Sequence, residues 1–329
     1  MLRVGLLGLG FIGRTHLAAF NELEDAEVVG VATAGSPSDG PFRHYTDPYA
    51  LISAADVDAV VIAVPTDLHA DFAVAALDLG KDVLIEKPVT LTLGEAARIA
   101  GSSAKGGVAM VAHVLRHTAE YVAAVDLIAG GSLGEVQGAR SHRMSAPPRW
   151  SSWLADPARS GGALFDLLVH DFDLMNWILG APTSVVALGH QDAQGGWDHV
   201  EVSLRYADRP ALAHVHGSQR MPKQYPFTAG LHVVGDRGAL ELVNRHDGSQ
   251  IDGEAESAVI RYFDDEPPRR EGVAAEDPFV VQARAFTAAV RDRRVPAGLG
   301  VTEAAMAVRT AVAAHRSLVA CEEVVVSTV

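Results

Sequence analysis

The chain of 329 residues is longer than one hydrophobic core usually serves, so two domains are expected. Its content of 48% hydrophobic and 21% charged residues excludes a disordered chain, and its net charge of −14 argues against a nucleic-acid partner, which would require clustered lysine and arginine. With no cationic leader and no apolar run near the ~20 residues that a spanning helix needs, we expect a cytoplasmic protein without a membrane partner.

The first 120 residues alternate short apolar runs with helical patterns, which is typical of βαβ units around a parallel sheet. The pattern predicts strands over 2–7, 28–32, 57–64, 83–85 and 108–112, and helices over 12–22, 49–54, 70–79 and 93–103. Residues 1–120 are therefore predicted to form an α/β domain, a doubly wound Rossmann sheet that binds a dinucleotide.

The second half contains segments in which apolar and polar residues alternate with period two, as in half-buried antiparallel strands. Val200, Val202 and Leu204 lie on one such face. Further strands are predicted over 211–217, 231–235, 239–243 and 259–263, helices over 121–128, 164–179, 278–291 and 302–320, and an exposed loop over 264–277. Residues 121–329 thus predict an α+β domain for substrate binding and oligomerisation, with an open, mostly antiparallel sheet.

A glycine-rich turn, Gly8-Leu9-Gly10-Phe11-Ile12-Gly13, directly follows the first predicted strand and opens the first predicted helix. In a G-x-G-x-x-G turn the first glycine permits the tight bend, the second lets a pyrophosphate approach the backbone, and the third lets helix and strand pack closely. The helix N-terminus then offers N–H groups to phosphates. We predict a dinucleotide site here that includes Phe11 and Ile12; a purely structural glycine turn is the alternative.

The choice between NAD and NADP stays open at the sequence level. An acidic residue about 20 positions beyond the last glycine usually binds the ribose hydroxyls of NAD. Thr33 stands at this position, so the segment offers a hydroxyl rather than a carboxylate, and the nearest basic residue, Arg43, lies a full loop away.

Proton-transfer chemistry is suggested by two residues. Lys87, in Glu86-Lys87-Pro88, follows a strand at the carboxyl end of the sheet, where open α/β proteins bind ligands. Oxidation of an alcohol needs a base near the hydroxyl and a cation near the developing alkoxide, and His170 and Lys87 are of these types. Asp166 precedes His170 by four residues, which would place both on one face of a helix over 164–179. A solvated lysine and an exposed Asp–His pair are the alternatives.

Other residues are weaker candidates. Pro65, Thr66 and His69 follow a strand and could line a nicotinamide pocket, although His69 could instead cap the next helix. Five residues could shape a sugar site by hydrogen bonds and stacking: Arg116, Arg143, Trp150, Trp153 and Asp173. The alternative is that the tryptophans belong to the core and the arginines to the surface. No metal site is expected, because no carboxylate or thiol completes a ligand set around the histidine pairs.

These motifs in this order resemble the Gfo/Idh/MocA oxidoreductase family, essentially from end to end. The motifs are the glycine turn, residues 65–69, Glu86-Lys87-Pro88, and residues 161–166 followed by His170. The resemblance implies that Glu86 and Lys87 lie beside the cofactor, that Lys87 positions and relays a proton, that Asp166 and His170 contact the substrate, and that His170 is the acid/base. It also implies a cis Lys87–Pro88 bond.

The function implied by this resemblance is hydride transfer between NAD or NADP and a secondary alcohol or ketone of a sugar, inositol or related polyol. A homodimer or homotetramer formed through the open sheet is also implied. Two alternatives remain at this stage. One is a redox-neutral sugar hydrolase or lyase that retains its NAD, and the other is a non-catalytic NAD(P)-sensing regulator.

Overall fold

The computed structural model describes residues 1–35, 40–148, 151–207, 211–248, 255–273 and 276–326. The chain divides into two compact units. The first comprises Met1–His117 and Glu276–Ala305, and the second comprises Thr118–Ala275 and Met306–Val329. Across the described ranges, every helix is too short or too polar to cross a membrane.

The first unit is built on a six-stranded sheet in which every described pair of neighbours is parallel. The strand order is β3-β2-β1-β4-β5-β6. The strands are β1 (Leu2–Leu7), β2 (Ala26–Ala32), β3 (Arg43–Tyr45), β4 (Ala59–Ile62), β5 (Asp82–Glu86) and β6 (Ala109–Ala112). Four helices alternate with them: α1 (Phe11–Asn21), α2 (Pro48–Ile52), α3 (His69–Asp78) and α4 (Leu93–Ser103). The predicted Rossmann fold is confirmed.

The parallel strands β1 and β4 lie side by side, and the order in which strands are added to the sheet reverses between them. Crossovers from β1 run to one edge and those from β4 to the other, so the carboxyl ends of these two strands form the switch point where such folds bind ligands. All residues of β4 and β6 are buried, as expected for strands covered on both faces.

One further helix belongs to the first unit although it lies late in the sequence. It spans Pro278–Asp292, and it is labelled α9 because four helices of the second unit precede it. Phe286 of this helix is fully buried and meets Phe20 of α1 edge-on, with ring centroids 6.5 Å apart. Residues 276–305 therefore lie outside the second domain that the sequence predicts over 121–329, because the apolar face of α9 completes the first core.

The second unit contains a nine-stranded sheet of order β14-β13-β12-β11-β7-β10-β9-β8-β15. Its pairs are antiparallel except for the parallel pair β7–β10. The strands are β7 (Val136–Met144), β8 (Ser184–Gln191), β9 (Trp197–Arg205), β10 (Leu212–Ser218), β11 (Thr228–Gly235), β12 (Ala239–His246), β13 (Ala255–Phe263), β14 (Glu266–Arg270) and β15 (Val324–Val325). The helices are α5 (Ala119–Ala129), α6 (Pro157–Ser160), α7 (Gly162–Asp166), α8 (Val169–Leu179) and, from Met306 onward, α10 (Val301–Ala320). The predicted mostly antiparallel sheet is confirmed.

The sequence-based prediction lacks five of the observed strands, β3, β7, β8, β14 and β15. The central strand β7 was not predicted, because its inward positions include the polar Ser141 and Arg143, which break the apolar alternation. The prediction of a loop over 264–277 is wrong for β14, where an exposed edge strand contains Pro267 and Pro268. An edge strand tolerates proline because one side of its backbone needs no partner.

Candidate active site

The glycine turn has the geometry that a dinucleotide requires. Gly8 has φ +89°, and a Cβ at this residue would collide with the carbonyl oxygen of Ala63. A Cβ at Gly13 would collide with the carbonyl oxygen of Gly8, so helix α1 packs directly against the turn. By contrast, a Cβ at Gly10 would meet nothing within 4 Å. The space above Gly10 is therefore open, as it must be for a pyrophosphate to approach the backbone.

Helix α1 begins at Phe11, and its N-cap residue is Gly10, which has no side chain to bond the first amides. Phe11 and Ile12 are half-buried in its first turn. The amide groups of this turn and the positive end of the helix dipole suit a phosphate anion. The residues of the turn therefore fit the pyrophosphate of NAD or NADP.

Thr33 lies directly after β2 at the carboxyl edge of the sheet and is half-buried. Its hydroxyl oxygen accepts a hydrogen bond from the Gly35 N–H at 3.3 Å, and the hydroxyl proton can still be donated to a ribose. Arg43, the nearest basic residue in the sequence analysis, donates to the Tyr45 hydroxyl at 3.1 Å and lies 3.7 Å from Asp56.

The loop after β4 contains Pro65, Thr66 and His69. Thr66 is buried in a short 3-10 turn that Pro65 precedes. His69 is also buried, with Nδ1 3.0 Å from the carbonyl oxygen of Pro88 and Nε2 3.0 Å from that of Val64. Burial lowers the pKa of His69 below its ordinary value, although the two carbonyls and the Glu86 charge oppose this shift. Both ring nitrogens thus contact the protein backbone.

Lys87 follows the last residue of β5 and is half-buried, and the Lys87–Pro88 peptide bond is cis. The Lys87 N–H donates to Oε2 of Glu86 at 3.1 Å. Oε1 of Glu86 lies 2.7 Å from Nε2 of His16, and both of these side chains are buried. Burial raises the pKa of Glu86, but the His16 hydrogen bond and the neighbouring charges outweigh it, so the pKa lies below its ordinary value.

Sequence reasoning missed His16. The signal that could have revealed it is its spacing: it follows Gly13 by three residues, on the side of α1 that packs against the sheet. A histidine at such a buried helical position needs a polar partner. The sequence could not identify Glu86 as that partner, since the two residues are 70 positions apart.

In the second unit, the prediction of one continuous helix over 164–179 is wrong. The amides of Leu167 and Leu168 both donate to the carbonyl of Ala163, at 3.0 and 2.9 Å, so the helical ladder slips by one residue. Helix α7 therefore ends at Asp166, and α8 begins at Val169. At this break the side chain of Leu168 packs against Gly217, where it fills the space that a Cβ would need.

Asp166 and His170 consequently lie on either side of a helix break, and the argument from a shared helix face does not apply to them. Both side chains are half-buried. The Asp166 carboxylate accepts a hydrogen bond from Nε2 of Gln219 at 3.4 Å. Gln219 follows β10 directly and was also missed from the sequence, where nothing distinguishes it from other polar loop residues.

Arg143 and Asp173, which the sequence suggested for a sugar site, are both buried. Nε of Arg143 donates to Oδ2 of Asp171 at 2.9 Å. Burial lowers the pKa of Arg143, but the charges and hydrogen bonds of Asp171 and Tyr121 outweigh it and raise the pKa above its ordinary value. The guanidinium therefore sits in a buried ion pair beneath the sheet.

The remaining sugar-site candidates differ in setting. The guanidinium of Arg116 occupies the space that a Cβ at Gly298 would need, within the first unit. Trp153 is half-buried in a short 3-10 turn, and Trp150 lies outside the described residues. In the part of the chain that the structure describes, no three histidine, cysteine or acidic side chains are grouped so that they could hold a metal ion.

Comparison with known proteins agrees with this geometry. Residues 2–113 match the oxidoreductase family with an NAD-binding Rossmann fold, and residues 121–241 match the GFO/IDH/MocA C-terminal domain. An inositol 2-dehydrogenase of Rhizobium meliloti is 33% identical over 264 residues, which cover 74% of this chain and 76% of that protein. The chain belongs to the Gfo/Idh/MocA oxidoreductase family. This Gfo/Idh/MocA member is thus an NAD(P)-dependent oxidoreductase.

Two further similarities place the Gfo/Idh/MocA chain among its relatives. A 1,5-anhydro-D-fructose reductase of Ensifer adhaerens is 32% identical over 206 residues, which cover 59% of this chain and 62%, less than two thirds, of that protein. The crystal structure of an aldose-aldose oxidoreductase from Caulobacter crescentus matches with a TM-score of 0.84 at 21% identity, covering 98% of this chain and 99% of that one. This likeness concerns the fold.

Proposed function

We propose that this chain transfers a hydride between NAD(P) and a secondary alcohol or ketone of a sugar, inositol or related polyol. The observation that carries the proposal is the pairing, in one Rossmann unit, of an open glycine turn with a lysine whose backbone is anchored at the carboxyl end of β5. The relatives named as an inositol 2-dehydrogenase and an anhydrofructose reductase support this substrate class.

Residues 8–13 would hold the pyrophosphate, Thr33 would contact the adenosine ribose, and Pro65 and Thr66 would lie along the nicotinamide side of the cofactor. NAD(P) held in this way would supply the hydride acceptor or donor. In the direction of oxidation, His170 takes the proton of the substrate hydroxyl, as a histidine with an ordinary pKa of ~6.5 can do near neutrality. The ammonium of Lys87 stabilises the negative charge that develops on the substrate oxygen.

Asp166 binds a substrate hydroxyl and limits the orientations that the substrate can adopt. Its hydrogen bond to Gln219 supports this role, because an anchored carboxylate presents its remaining lone pairs in a fixed direction. Arg116, Trp153 and Asp173 are further candidates for substrate contacts. An uncharged polyol suits a set of groups that combines donors and acceptors.

The direct test is to mix the purified chain with NAD or NADP and a panel of inositols, aldoses and ketoses. Reduced nicotinamide should accumulate with at least one polyol. Lys87→Met and His170→Gln should each lower kcat by ~100-fold or more, as expected for groups that act in proton transfer or charge stabilisation. Lys105→Met and His315→Gln are matched controls on exposed positions and should retain the activity.

Two results would contradict the proposal. If a sugar product forms while reduced nicotinamide never accumulates, the reaction is redox-neutral. If NAD binds but no panel compound is converted, and the Lys87→Met and His170→Gln variants bind NAD as the native chain does, a non-catalytic sensor becomes the better description.

We also propose that the outer face of the nine-stranded sheet pairs with a second copy of this chain. This face carries four exposed large apolar residues on β8, β10 and β11, namely Val186, Leu188, Leu212 and Val234. The strand register places all four on the same side, opposite the buried face that α5, α7 and α8 cover. An exposed apolar patch of this kind is typical of an interaction surface.

The size of this face is adequate for a stable dimer. The seven strands β7–β13, spaced ~4.8 Å apart and each with seven to nine residues at ~3.4 Å, give on the order of 900 Å². A standard interface needs roughly 800 Å² from each partner. Light scattering should therefore give the mass of a dimer or tetramer, and Leu188→Glu combined with Leu212→Glu should give a monomer.

A further inference from the structure

We propose that His16 is a positioning residue that fixes the backbone of Lys87 through Glu86, so that the nucleotide-binding helix and the reactive lysine are mechanically linked. The inference rests on the proposed function, in which Lys87 acts on the substrate. Within the first unit, one chain of hydrogen bonds runs from helix α1 through His16 and Glu86 to the Lys87 amide, and its His16–Glu86 bond is buried.

His16 has one polar partner among the described residues. Its Nε2 lies 2.7 Å from Oε1 of Glu86, whereas its Nδ1 is buried and has no hydrogen-bond partner in the described part of the chain. The tautomer with the proton on Nε2 satisfies both atoms best, because Nε2 then donates to the carboxylate and no buried N–H is left unpaired. The ring of Phe279 from α9 meets His16 edge-on at 5.9 Å and limits the orientations of the imidazole.

Glu86 uses both carboxylate oxygens for this link. Oε1 faces His16, and Oε2 accepts the N–H of Lys87 at 3.1 Å. Burial alone would raise the pKa of Glu86, but the His16 hydrogen bond and the neighbouring charges more than offset this effect. The pKa of Glu86 therefore lies below its ordinary value, and the buried carboxylate stays ionised. A buried ionic group adds little net stability compared with an apolar pair of the same size. Stability alone therefore gives little reason for a histidine and a glutamate at these two positions.

His69 anchors the other side of Lys87. Its ring lies between the carbonyl oxygens of Pro88 and Val64, each 3.0 Å from a ring nitrogen. The Lys87 N–H is thus hydrogen-bonded to Glu86 immediately before the lysine side chain, and the His69 ring packs against the Pro88 carbonyl immediately after it. Because the backbone is in contact with a buried side chain on each side of Lys87, the Cα–Cβ bond of the lysine has a defined direction.

The link matters because α1 also provides the N-terminus that would hold the pyrophosphate. Gly13 and His16 are one helical turn apart on the packed side of α1, so a displacement of the turn would reach Glu86 directly. A misplacement of a reacting group by about 1 Å can cost ~100-fold in rate. We therefore expect His16 to affect kcat more than the affinity for either substrate or cofactor.

The test compares His16→Leu, which removes the donor, with His16→Gln, whose amide N–H₂ reaches toward the same carboxylate. Phe20→Leu is the matched control, because Phe20 is buried on the same helix and its ring meets Phe286 of α9. Two readouts are needed. The first is hydrogen–deuterium exchange at the Lys87 amide, and the second is kcat, KM and the dissociation constant of NAD.

In His16→Leu the Lys87 amide should exchange at least about tenfold faster, since its acceptor is no longer held. The value of kcat should fall by roughly 10- to 100-fold while KM and the NAD dissociation constant change by less than about threefold. His16→Gln should recover most of both effects. Phe20→Leu should lower the thermal midpoint and leave the Lys87 amide and kcat as in the native chain.

Unchanged exchange at Lys87 in a folded His16→Leu protein would overturn the inference, as would equal effects in Phe20→Leu. Exchange is measured without turnover, so it decides the inference even if the native chain oxidises no polyol and the proposed function fails. If His16→Leu does not fold, Glu86→Gln provides the same readout, because it keeps the shape of the acceptor but weakens its hold on both donors.

Discussion

Nε of Arg143 donates to Oδ2 of Asp171 over 2.9 Å, and the two side chains are only 6% and 1% exposed. The pair joins the central strand β7 to the first turn of α8, directly after His170. Because charges are costly to bury, each member depends on the other for its neutralising charge. The segment that contains His170 is therefore anchored to the sheet by an ion pair.

Removal of the guanidinium should destabilise the second unit. We expect Arg143→Met to lower the free energy of unfolding by ~3–5 kcal/mol, because Asp171 is left buried without its cation. Urea-induced unfolding measures this change. The double variant Arg143→Met with Asp171→Leu should recover most of the loss, since no unpaired charge remains. If Arg143→Met alone were as stable as the native chain, the ion pair would not contribute to the stability of the fold.

The glycine turn offers a prediction that separates binding from folding. Gly10→Ala should leave the thermal midpoint unchanged, because its Cβ meets nothing within 4 Å, and should weaken NAD binding by at least about tenfold, because the methyl group takes the space of the pyrophosphate. Gly13→Ala should impair both properties, since its Cβ meets the Gly8 carbonyl.

Gly101→Ala is the control for the glycine variants. Gly101 lies within α4, and a Cβ there meets nothing within 4 Å. Alanine favours a helix interior by ~0.5–1 kcal/mol over glycine, so this variant should be slightly more stable and bind NAD normally. Calorimetry of NAD binding and thermal unfolding measure both properties. Normal NAD affinity in Gly10→Ala would place the pyrophosphate elsewhere.

Cofactor preference should respond to the charge at position 33. Thr33→Asp introduces the carboxylate that usually binds the ribose hydroxyls of NAD and repels the 2′-phosphate of NADP. We expect the ratio of the two dissociation constants to shift toward NAD by about tenfold, which corresponds to ~1.4 kcal/mol. Thr33→Asn is the uncharged control, and a shift of the same size in both variants would show that charge is not the cause.

Acidification should weaken the proposed assembly through the histidines of the outer sheet face. The strand register places six of the 14 histidines on this face, namely His142, His190, His199, His214, His216 and His232. Burial lowers the pKa of His142 and of His216 below the ordinary value, so both rings are neutral at pH 7. An assembled face would bury both rings further and lower their pKa again, so protons would bind more readily to the separated subunits.

The dissociation constant of the assembly should therefore rise as the pH falls from about 6.5 toward about 5, the range below the ordinary histidine pKa. The charged groups that act on these two rings are known from the structure: Glu201 and Asp171 favour protonation, whereas Arg140, Arg143, His199 and His232 oppose it. His142→Gln with His216→Gln should flatten this pH dependence in sedimentation or light scattering. A mass that stays constant in the native chain over this range would contradict the expectation.

Much of the first unit could be predicted from local sequence because its strands are buried on both faces and appear as continuous apolar runs. β1 agrees with its predicted bounds, and α4 has the predicted range together with a capping box between Thr92 and Glu95. The second unit was harder to predict. Strand β7 lies at the centre of its sheet, yet its inward Arg143 is polar and pairs with Asp171, which is 28 positions away in sequence.

The sequence by itself determined the glycine turn, the alternation of strands and helices, and the residue types available for proton transfer, because these depend on neighbours within a few positions. Only the tertiary structure decided that α9 completes the first core, that the helix breaks between Asp166 and His170, and that His16 contacts Glu86. The physical reason is that periodicity specifies which side of an element is buried, whereas the partner on that side is set by packing between distant parts of the chain.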